Sequence, residues 1–395
     1  MDALAAADLP LTGDTDHPAL EISEAIRIAR VLCIFFMIFV HLQPGTADFV
    51  PDEAGIRTFD ILRFFLVDSV GRASVALLSV IAGFLAVYSL RRETPRVFLG
   101  KKTRSLMAPL VLWNLIFITL ILAGSLIHPD YIQKSLGTDL KVSRLPEMIL
   151  GIGGKPANEP LSFLRDVFIC ALFTPLMLAA LRRSTGSFVA IVGVLVVLAI
   201  VLPMSMRPSI PALYAAGVFI AVRRIAPAPS LRLTFVALVA FVAVASLLTW
   251  RDLTSDDGAR GGMTLLEAGF NIVRLPAAIV FWSLALRLRG TGAGAQVARL
   301  EPYIFIAFCI HLIVSKVAWA GWEPVFGGYY GSLYPLFFFT IPVVVMVCAV
   351  SGARLADTRI PWLFSLLNGG RNLPTGRKPR PAIAGTGLFL EPART

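Results

Sequence analysis

Ten apolar blocks separated by short polar stretches divide the chain between residues 26 and 354. They run over 26–43, 70–90, 104–127, 161–181, 187–204, 210–223, 231–250, 265–289, 301–320 and 332–354. A helix rising about 1.5 Å per residue crosses the hydrocarbon core of a bilayer in about twenty residues. Most blocks have that length, and their apolar residues run on rather than alternate, which excludes a transmembrane β-barrel. The pattern predicts an all-α, polytopic integral membrane protein of about ten transmembrane helices. The sixth block is short for a crossing, and Pro208 and Pro211 at its start predict tilt or a kink.

The segments outside these blocks set the domain limits and the orientation. Residues 1–25 are acidic and polar and lack the cationic start of a cleaved signal peptide, so they read as a disordered cytoplasmic leader, with His17 incidental. Residues 26–355 form the transmembrane domain. Residues 356–395, rich in Pro, Gly and Arg, read as a mostly disordered cytoplasmic tail, with a short interfacial segment over 361–367. The largest pieces between blocks are 44–69 and 128–160. With the N-terminus cytoplasmic, most of the 36 Lys and Arg residues fall on the cytoplasmic side. An even number of spans then leaves the C-terminus cytoplasmic too.

Composition agrees with the pattern. The chain has 395 residues, 56% hydrophobic and 15% charged, with net charge +11, where a soluble domain carries about a quarter charged residues. The cations sit in short loops between blocks, which points to membrane topology and away from nucleic acid. Cys33, Cys170, Cys309 and Cys348 all lie within apolar blocks and none is spaced as a metal ligand, so neither a disulfide nor a metal site is expected.

Within this apolar background the ionisable residues carry the information. The first block opens with Arg30 and closes with His41, eleven positions later. At about 100° per residue both project from one helix face, separated by roughly 16 Å along the axis. Ionisable groups inside a span usually face a bundle interior or a wet cavity. The plainer reading is a flanking positive charge and an interfacial hydrogen-bonder. The second block begins GRASVALLSVIAGF, whose small residues permit close helix packing, with Arg72 at its outer end. Next, six cations crowd Arg91–Arg104 before Pro109, Trp113 and the polar Asn114. That cluster serves either topology alone or a polyanion held by charge and hydrogen bonds. Arg165 and Asp166 open the fourth block. Adjacent on a helix, they diverge by about 100° and need not pair, and either lines an acceptor site or snorkels to the interface. The ninth block holds His311 and Lys316, with Glu301 at its cytoplasmic start, where it would neutralise an arginine such as Arg30. The aromatic stretch Gly321–Pro335 offers interface anchors or a stacking platform for sugar rings.

Arg30-x10-His41 at the head of a polytopic chain resembles the first-helix motif of the acyltransferase-3 family of membrane O-acyltransferases. The stretch around Arg72 is similar to that family's second-helix signature, with Ala76 where the family has Pro and Ala82 where it has Ser. Lys101, Lys102, Arg104, Pro109 and Trp113 resemble its cationic third-helix start, here as Lys101-x-x-Arg104. The opening of the fourth block is similar to another family segment, with Ser162 in place of Trp. The aromatic run before His311 resembles a late helix of the family. Together these matches span 26–354. The string ARVLCIFFMIFVHLQPG further resembles exopolysaccharide acyltransferases of the succinoglycan type.

The resemblance implies transfer of an acetyl or succinyl group from acyl-CoA to a hydroxyl of an exported or cell-surface polysaccharide, or of its lipid-linked precursor. It implies a place in the bacterial inner membrane, alongside polysaccharide export machinery. His41 is the candidate general base, with Arg30 beside it in the motif. Lys101, Lys102 and Arg104 are candidates for the CoA phosphates, and Arg72, Arg165, Asn114 and His311 for the substrate. The chain has no Gly-x-Ser-x-Gly elbow and no convincing cysteine nucleophile, so direct transfer or a transient acyl-imidazole fits better than a Ser or Cys acyl-enzyme. Two other classes compete: a secondary transporter of sugars or small anions, and a non-catalytic subunit of an export machine. Against the transporter stands the lack of an internal repeat of broken helices.

Overall fold

Each apolar block of the sequence becomes a helix. The computed structural model describes residues 20–45, 57–126, 141–201, 206–225, 228–254 and 265–373, which contain helices and their connections and no strand. In chain order the helices are α1 (Leu20–Ile38), α2 (Thr58–Phe64), α3 (Arg72–Arg92), α4 (Pro95–Lys102), α5 (Ala108–Ser125), α6 (Leu145–Leu150), α7 (Ser162–Arg183) and α8 (Thr185–Val201). They continue as α9 (Ser209–Arg223), α10 (Leu231–Thr254), α11 (Leu265–Leu288), α12 (Gly292–Ala298), α13 (Glu301–Phe326), α14 (Tyr334–Arg359) and α15 (Pro361–Leu367). Among the described residues, six helical segments are long and apolar enough to cross a membrane: Thr58–Arg92, Pro95–Ser125, Glu159–Arg183, Leu231–Trp250, Glu301–Phe326 and Tyr334–Arg359. Shorter apolar helices cover Thr185–Val201, Ser209–Arg223 and Leu275–Leu288.

The structure moves three of the boundaries drawn from sequence. First, α1 starts at Leu20, inside the stretch read as leader; residues 1–19 lie outside the described residues. Second, helix begins at Thr58 rather than near residue 70, giving one run of 35 residues to Arg92. At about 1.5 Å per residue that run reaches roughly 52 Å, well beyond a hydrocarbon core of about 30 Å. Its start is anchored by Arg57, whose backbone and guanidinium both donate to the Asp60 carboxylate. Third, the stretch 356–373 is built: α14 runs to Arg359, α15 follows, and the Trp113 indole Nε1 donates to the Leu367 carbonyl at 3.1 Å. Residues 374–395 lie outside the described residues.

Two segments of π-helix interrupt the long runs, Phe65–Gly71 before α3 and Thr103–Met107 before α5. Such bulges often mark functional sites. The second absorbs Pro109, which stands in the first turn of α5, where its missing N–H costs nothing. Prolines within α7, α11, α13 and α14 (Pro175, Pro276, Pro324 and Pro342) are tolerated because neighbouring helices can satisfy the freed carbonyls.

Close packing brings α3 and the segment before it against α9 and the end of α1. A Cβ on Gly83 would collide with the Tyr214 carbonyl, and one on Gly217 with the Val80 carbonyl, so the backbones of α3 and α9 touch through paired glycines. Gly71 does the same for α1, where a Cβ would meet Val40 Cγ2 at 2.6 Å and the Phe36 carbonyl at 2.9 Å. Lipid supplies no hydrophobic drive between helices, so this small-residue contact is what dispersion needs. The small residues of the second block thus act as packing residues.

Gly217→Leu is expected to wedge α9 from α3, with an overpacking cost of about 1–3 kcal/mol or more. Gly193→Ala, where a Cβ meets nothing within 4 Å, serves as its control. Thermal unfolding in detergent should show a clear drop for the first variant and none for the second. Equal midpoints would mean that the glycine contact does not hold the bundle.

Candidate active site

Helix α1 runs alongside α13, and two pairs of ionisable side chains join them. Arg30 Nη1 donates to Glu301 Oε1 at 3.0 Å near the starts of both helices. At the other end the His41 and His311 rings lie 5.2 Å apart between centroids. Eleven residues on α1 therefore match ten on α13, so the two helices are parallel. The partner for Arg30 expected from sequence is the one found.

The geometry at His41 differs in detail from a uniform helix. After Ile38 the chain tightens into a 3-10 turn over Phe39–His41, which advances about 2.0 Å and 120° per residue. The rise from Arg30 to His41 becomes about 18 Å, and the imidazole swings round by roughly 60°. His311 backs it. The His311 ring is fully buried, and its Nδ1 lies 2.7 Å from the Phe308 carbonyl, which can only accept, so Nδ1 carries the proton. Nε2 is then a lone pair, buried and without a hydrogen-bond partner. A buried acceptor left unpaired is costly, and an adjacent proton donor would relieve it.

His41 also lines a narrow cleft with Met37, Val40, Gly71, Arg72, Val75, Glu159, Pro160, Ser162, Phe163, Asp166, Arg207 and Ile210. These residues come from the end of α1, the starts of α3, α7 and α9, and their connections. Arg72 Nε sits 2.6 Å from Asp68 Oδ1, one turn back in the π segment. Burial and the nearby Arg72 lower the proton affinity of Arg207, while Glu159 and Asp166 raise it. An imidazole, two guanidiniums and two carboxylates thus meet around one space. Such a set can take a proton from a hydroxyl and stabilise a developing oxyanion. Sequence reasoning missed Arg207 and Glu159. The only trace of Arg207 was a cation beside the Pro208 that opens the short sixth block.

The remaining candidates fall elsewhere. Arg165 points away from the cleft and pairs with its neighbour after all: Nε and Nη2 both donate to Asp166 Oδ1 at 2.9 Å. The long guanidinium stem bends back across the 100° divergence because both groups are buried, where an unpaired charge is expensive. Its Nη1 donates to the Gly151 carbonyl at 2.5 Å. Asn114 does not face the cleft either. Its Nδ2 donates to the Leu110 and Ile149 carbonyls at 2.8 and 3.1 Å, and its Oδ1 accepts the Asn158 N–H at 2.7 Å. Asn158 in turn donates to the Cys309 carbonyl at 3.0 Å. Asn114 is therefore a bridge from α5 through the 149–158 loop to α13.

In the cation cluster before α5, Lys101 binds Glu93 at 2.6 Å, Arg104 is exposed, and the Lys102 ammonium stands 5.4 Å from the centre of the Phe98 ring. Tyr329 and Tyr334 of the aromatic stretch are buried; the Arg57 and Arg63 guanidiniums lie 5.0 and 4.5 Å from the Tyr329 ring centre. Their faces are spent on packing. Among the described residues no group of His, Cys, Asp and Glu is placed to hold a metal ion.

Asn114→Leu removes the bridge and strands buried backbone groups at Ile149 and Asn158. The expected loss is about 2 kcal/mol or more, read as a lowered unfolding midpoint. An unchanged midpoint would show that the loop holds its place without Asn114.

The succinoglycan biosynthesis protein ExoH of Rhizobium meliloti (strain 1021) is 27% identical to this chain over 376 residues, covering 90% of this chain and 94% of that protein. No solved structure matches. The model of the acyltransferase domain family matches residues 23–354, nearly the whole helical bundle. With its apolar helices, this establishes the protein as a multi-pass membrane enzyme that belongs to the acyltransferase-3 family.

Proposed function

We propose that the enzyme transfers an acyl group, acetyl or succinyl, from acyl-CoA to a hydroxyl of an exported polysaccharide or its lipid-linked precursor, with His41 as general base. The observation that carries this reading is the position of His41, one side on an open cleft with charged walls and the other against His311. The relative's role in succinoglycan biosynthesis supports the choice of acceptor.

In the proposed step the acceptor oxygen attacks the thioester carbonyl carbon while His41 takes the hydroxyl proton. The carbonyl electrons return, the carbon–sulfur bond breaks, and the proton passes to the departing CoA thiolate. A hydroxyl is a poor nucleophile unless its proton leaves during attack, and imidazole is the side chain suited to that at neutral pH. Arg72 and Arg207, both in the cleft wall, are placed to stabilise the oxyanion or to hold the carboxylate of a succinyl group. His311 would accept a hydrogen bond from His41 and so aim its basic nitrogen at the cleft.

The enzyme is read as spanning a bacterial inner membrane ten times, with both termini in the cytoplasm. The parallel course of α1 and α13, the first and ninth blocks, agrees with alternate crossings. So does the gathering of Arg72, Asp166 and Arg207 at one end of the bundle, with Arg30, Glu301 and Lys102 at the other. In this orientation donor and acceptor approach from opposite faces, about 18 Å apart along α1. A neighbouring export machine would supply the acceptor.

Purified protein in nanodiscs should release free CoA from acetyl-CoA or succinyl-CoA when acceptor polysaccharide is present. His41→Ala is expected to lose about two orders of magnitude or more in turnover while remaining folded. His311→Gln should retain part of the activity, since the amide can still accept a hydrogen bond. Full turnover by His41→Ala would remove it as the base.

A further inference from the structure

At the opposite end of the bundle from the cleft, three cations approach from three distant parts of the chain: Arg30 of α1, Lys102 at the end of α4, and Arg371 beyond α15. The turn that delivers Arg371 is tightly specified. Gly369 and Gly370 adopt φ of 63° and 76°, which glycine alone reaches without strain. A Cβ on Gly369 would stand 2.5 Å from Arg371 Nη1 and 2.6 Å from the Ser105 carbonyl. Asn368 Nδ2 donates to the Arg371 carbonyl at 2.8 Å, and Arg371 Nη1 donates to the Asn368 carbonyl at 2.9 Å. The guanidinium lies 3.8 Å from the centre of the Phe305 ring, a cation–π contact.

Charge is not balanced where these groups meet. Glu301 is engaged by Arg30 at 3.0 Å and Glu93 by Lys101 at 2.6 Å. Among the described residues neither Lys102 nor Arg371 has a carboxylate at ion-pair distance. Arg371 Nη1 also reaches the Ser105 carbonyl at 3.4 Å, three residues from Lys102, and its ring partner Phe305 stands one turn beyond Glu301, the partner of Arg30. Lys102 feels Arg371 and Arg30 as like charges and Glu93 as an opposite one, and burial, then Arg30, lowers Arg371 to about 10 against the opposite charge of Glu301. A structural pin for α15 would need the hydrogen bonds and the stacking, but not two further cations beside it. Crowding like charges in a partly buried place costs stability unless an anion joins them.

We propose that Arg30, Lys102 and Arg371 form a binding site for the phosphate groups of a nucleotide thioester, with the Asn368–Arg371 turn as one wall. The inference rests on the acyl-CoA reading above and changes which residues hold the donor. Lys102 stays; Lys101 serves Glu93; Arg371, from a stretch that reads as tail, takes the place of Arg104. Arg371 Nη1 is held by the Asn368 and Ser105 carbonyls, which fixes the fork so that Nε and Nη2 suit a diphosphate or a 3′-phosphate, and the ammonium of Lys102 adds a point charge. An anionic lipid headgroup offers the same phosphate chemistry, and the test separates the two sources.

The test is equilibrium binding of coenzyme A and of pantetheine to the full chain in phosphatidylcholine nanodiscs, repeated with added phosphatidylglycerol. Arg371→Gln is expected to weaken coenzyme A binding about tenfold or more, the worth of a charged hydrogen-bond partner. It should leave pantetheine binding unchanged and flatten the salt dependence, with Arg371→Lys intermediate. If Arg371→Gln does not fold, Lys102→Gln carries the same expectation, because its side chain is not tied into the turn. Equal coenzyme A affinity in wild type and a folded variant would overturn this proposal alone. A folded wild type that binds no coenzyme A would overturn the donor reading as well. If phosphatidylglycerol displaces coenzyme A from wild type but not from Arg371→Gln, the site is a lipid site, and the nucleotide assignment falls.

Discussion

Two side-chain pairs between α1 and α13 set the geometry on which the rest depends. A charge carried into an apolar bundle must be paired, and a helix end is where a carboxylate and a guanidinium can meet without full desolvation. Arg30 and Glu301 do this at one end of the two helices, and His41 and His311 meet at the other. The ion pair sets the register at one end, and the 3-10 turn after α1 brings His41 beside His311 at the other. The two imidazoles are therefore neighbours by construction of the helix pair, and His41 is left with one flank on the cleft.

The cleft needs more than register. It exists because α3 and α9 approach through glycines that leave no room for a Cβ, which brings Arg72 and the Arg207 connection to the rim. The π segment before α3 contributes too. It carries Asp68 one turn from Arg72, so the guanidinium is anchored at its base while the rest of it remains partly exposed. Anchoring of this kind reduces the rotamer entropy that would otherwise oppose binding. Across the cleft Arg165 grips Asp166 and the Gly151 carbonyl. A residue read as touching substrate thus acts on the wall behind it.

How much of this was legible depends on the range of the contact. The helices over the apolar blocks follow from runs of apolar residues, because length and continuity are local properties. Arg30 and His41 stood out because few ionisable groups share their block, and the Arg30–Glu301 pair followed because both lie at the same end of parallel spans. Arg165 with Asp166 stayed open in the sequence for an instructive reason. Helical phase describes where a Cβ points, whereas a buried guanidinium on a long stem goes where the charge is. Asn114 looked like a polar lining residue, yet a buried amide must satisfy both its N–H donors and its oxygen, and Leu110, Ile149 and Asn158 met them. Arg207, Glu159 and Arg371 were invisible because their value comes from contacts across the fold. Arg371 in particular lies in Pro/Gly-rich sequence that reads as tail, although its two glycines are there to make a turn.

The arrangement also bears on why a single short helix carries both diagnostic residues. If donor and acceptor sites lie at opposite ends of the bundle, some element must hold them at a fixed separation while excluding water from the thioester between them. A straight helix is the stiffest available spacer, and α1 is packed by α3, α11, α13 and α14 along its length. The 3-10 turn at its end lengthens the span by about 2 Å and rotates His41 toward both the cleft and His311. A continuous α-helix would keep His41 in line with Arg30, toward α13 alone. The local irregularity is therefore what lets one residue belong to two environments, a buried partner behind and an open cleft in front, the arrangement that the proposed general base would use.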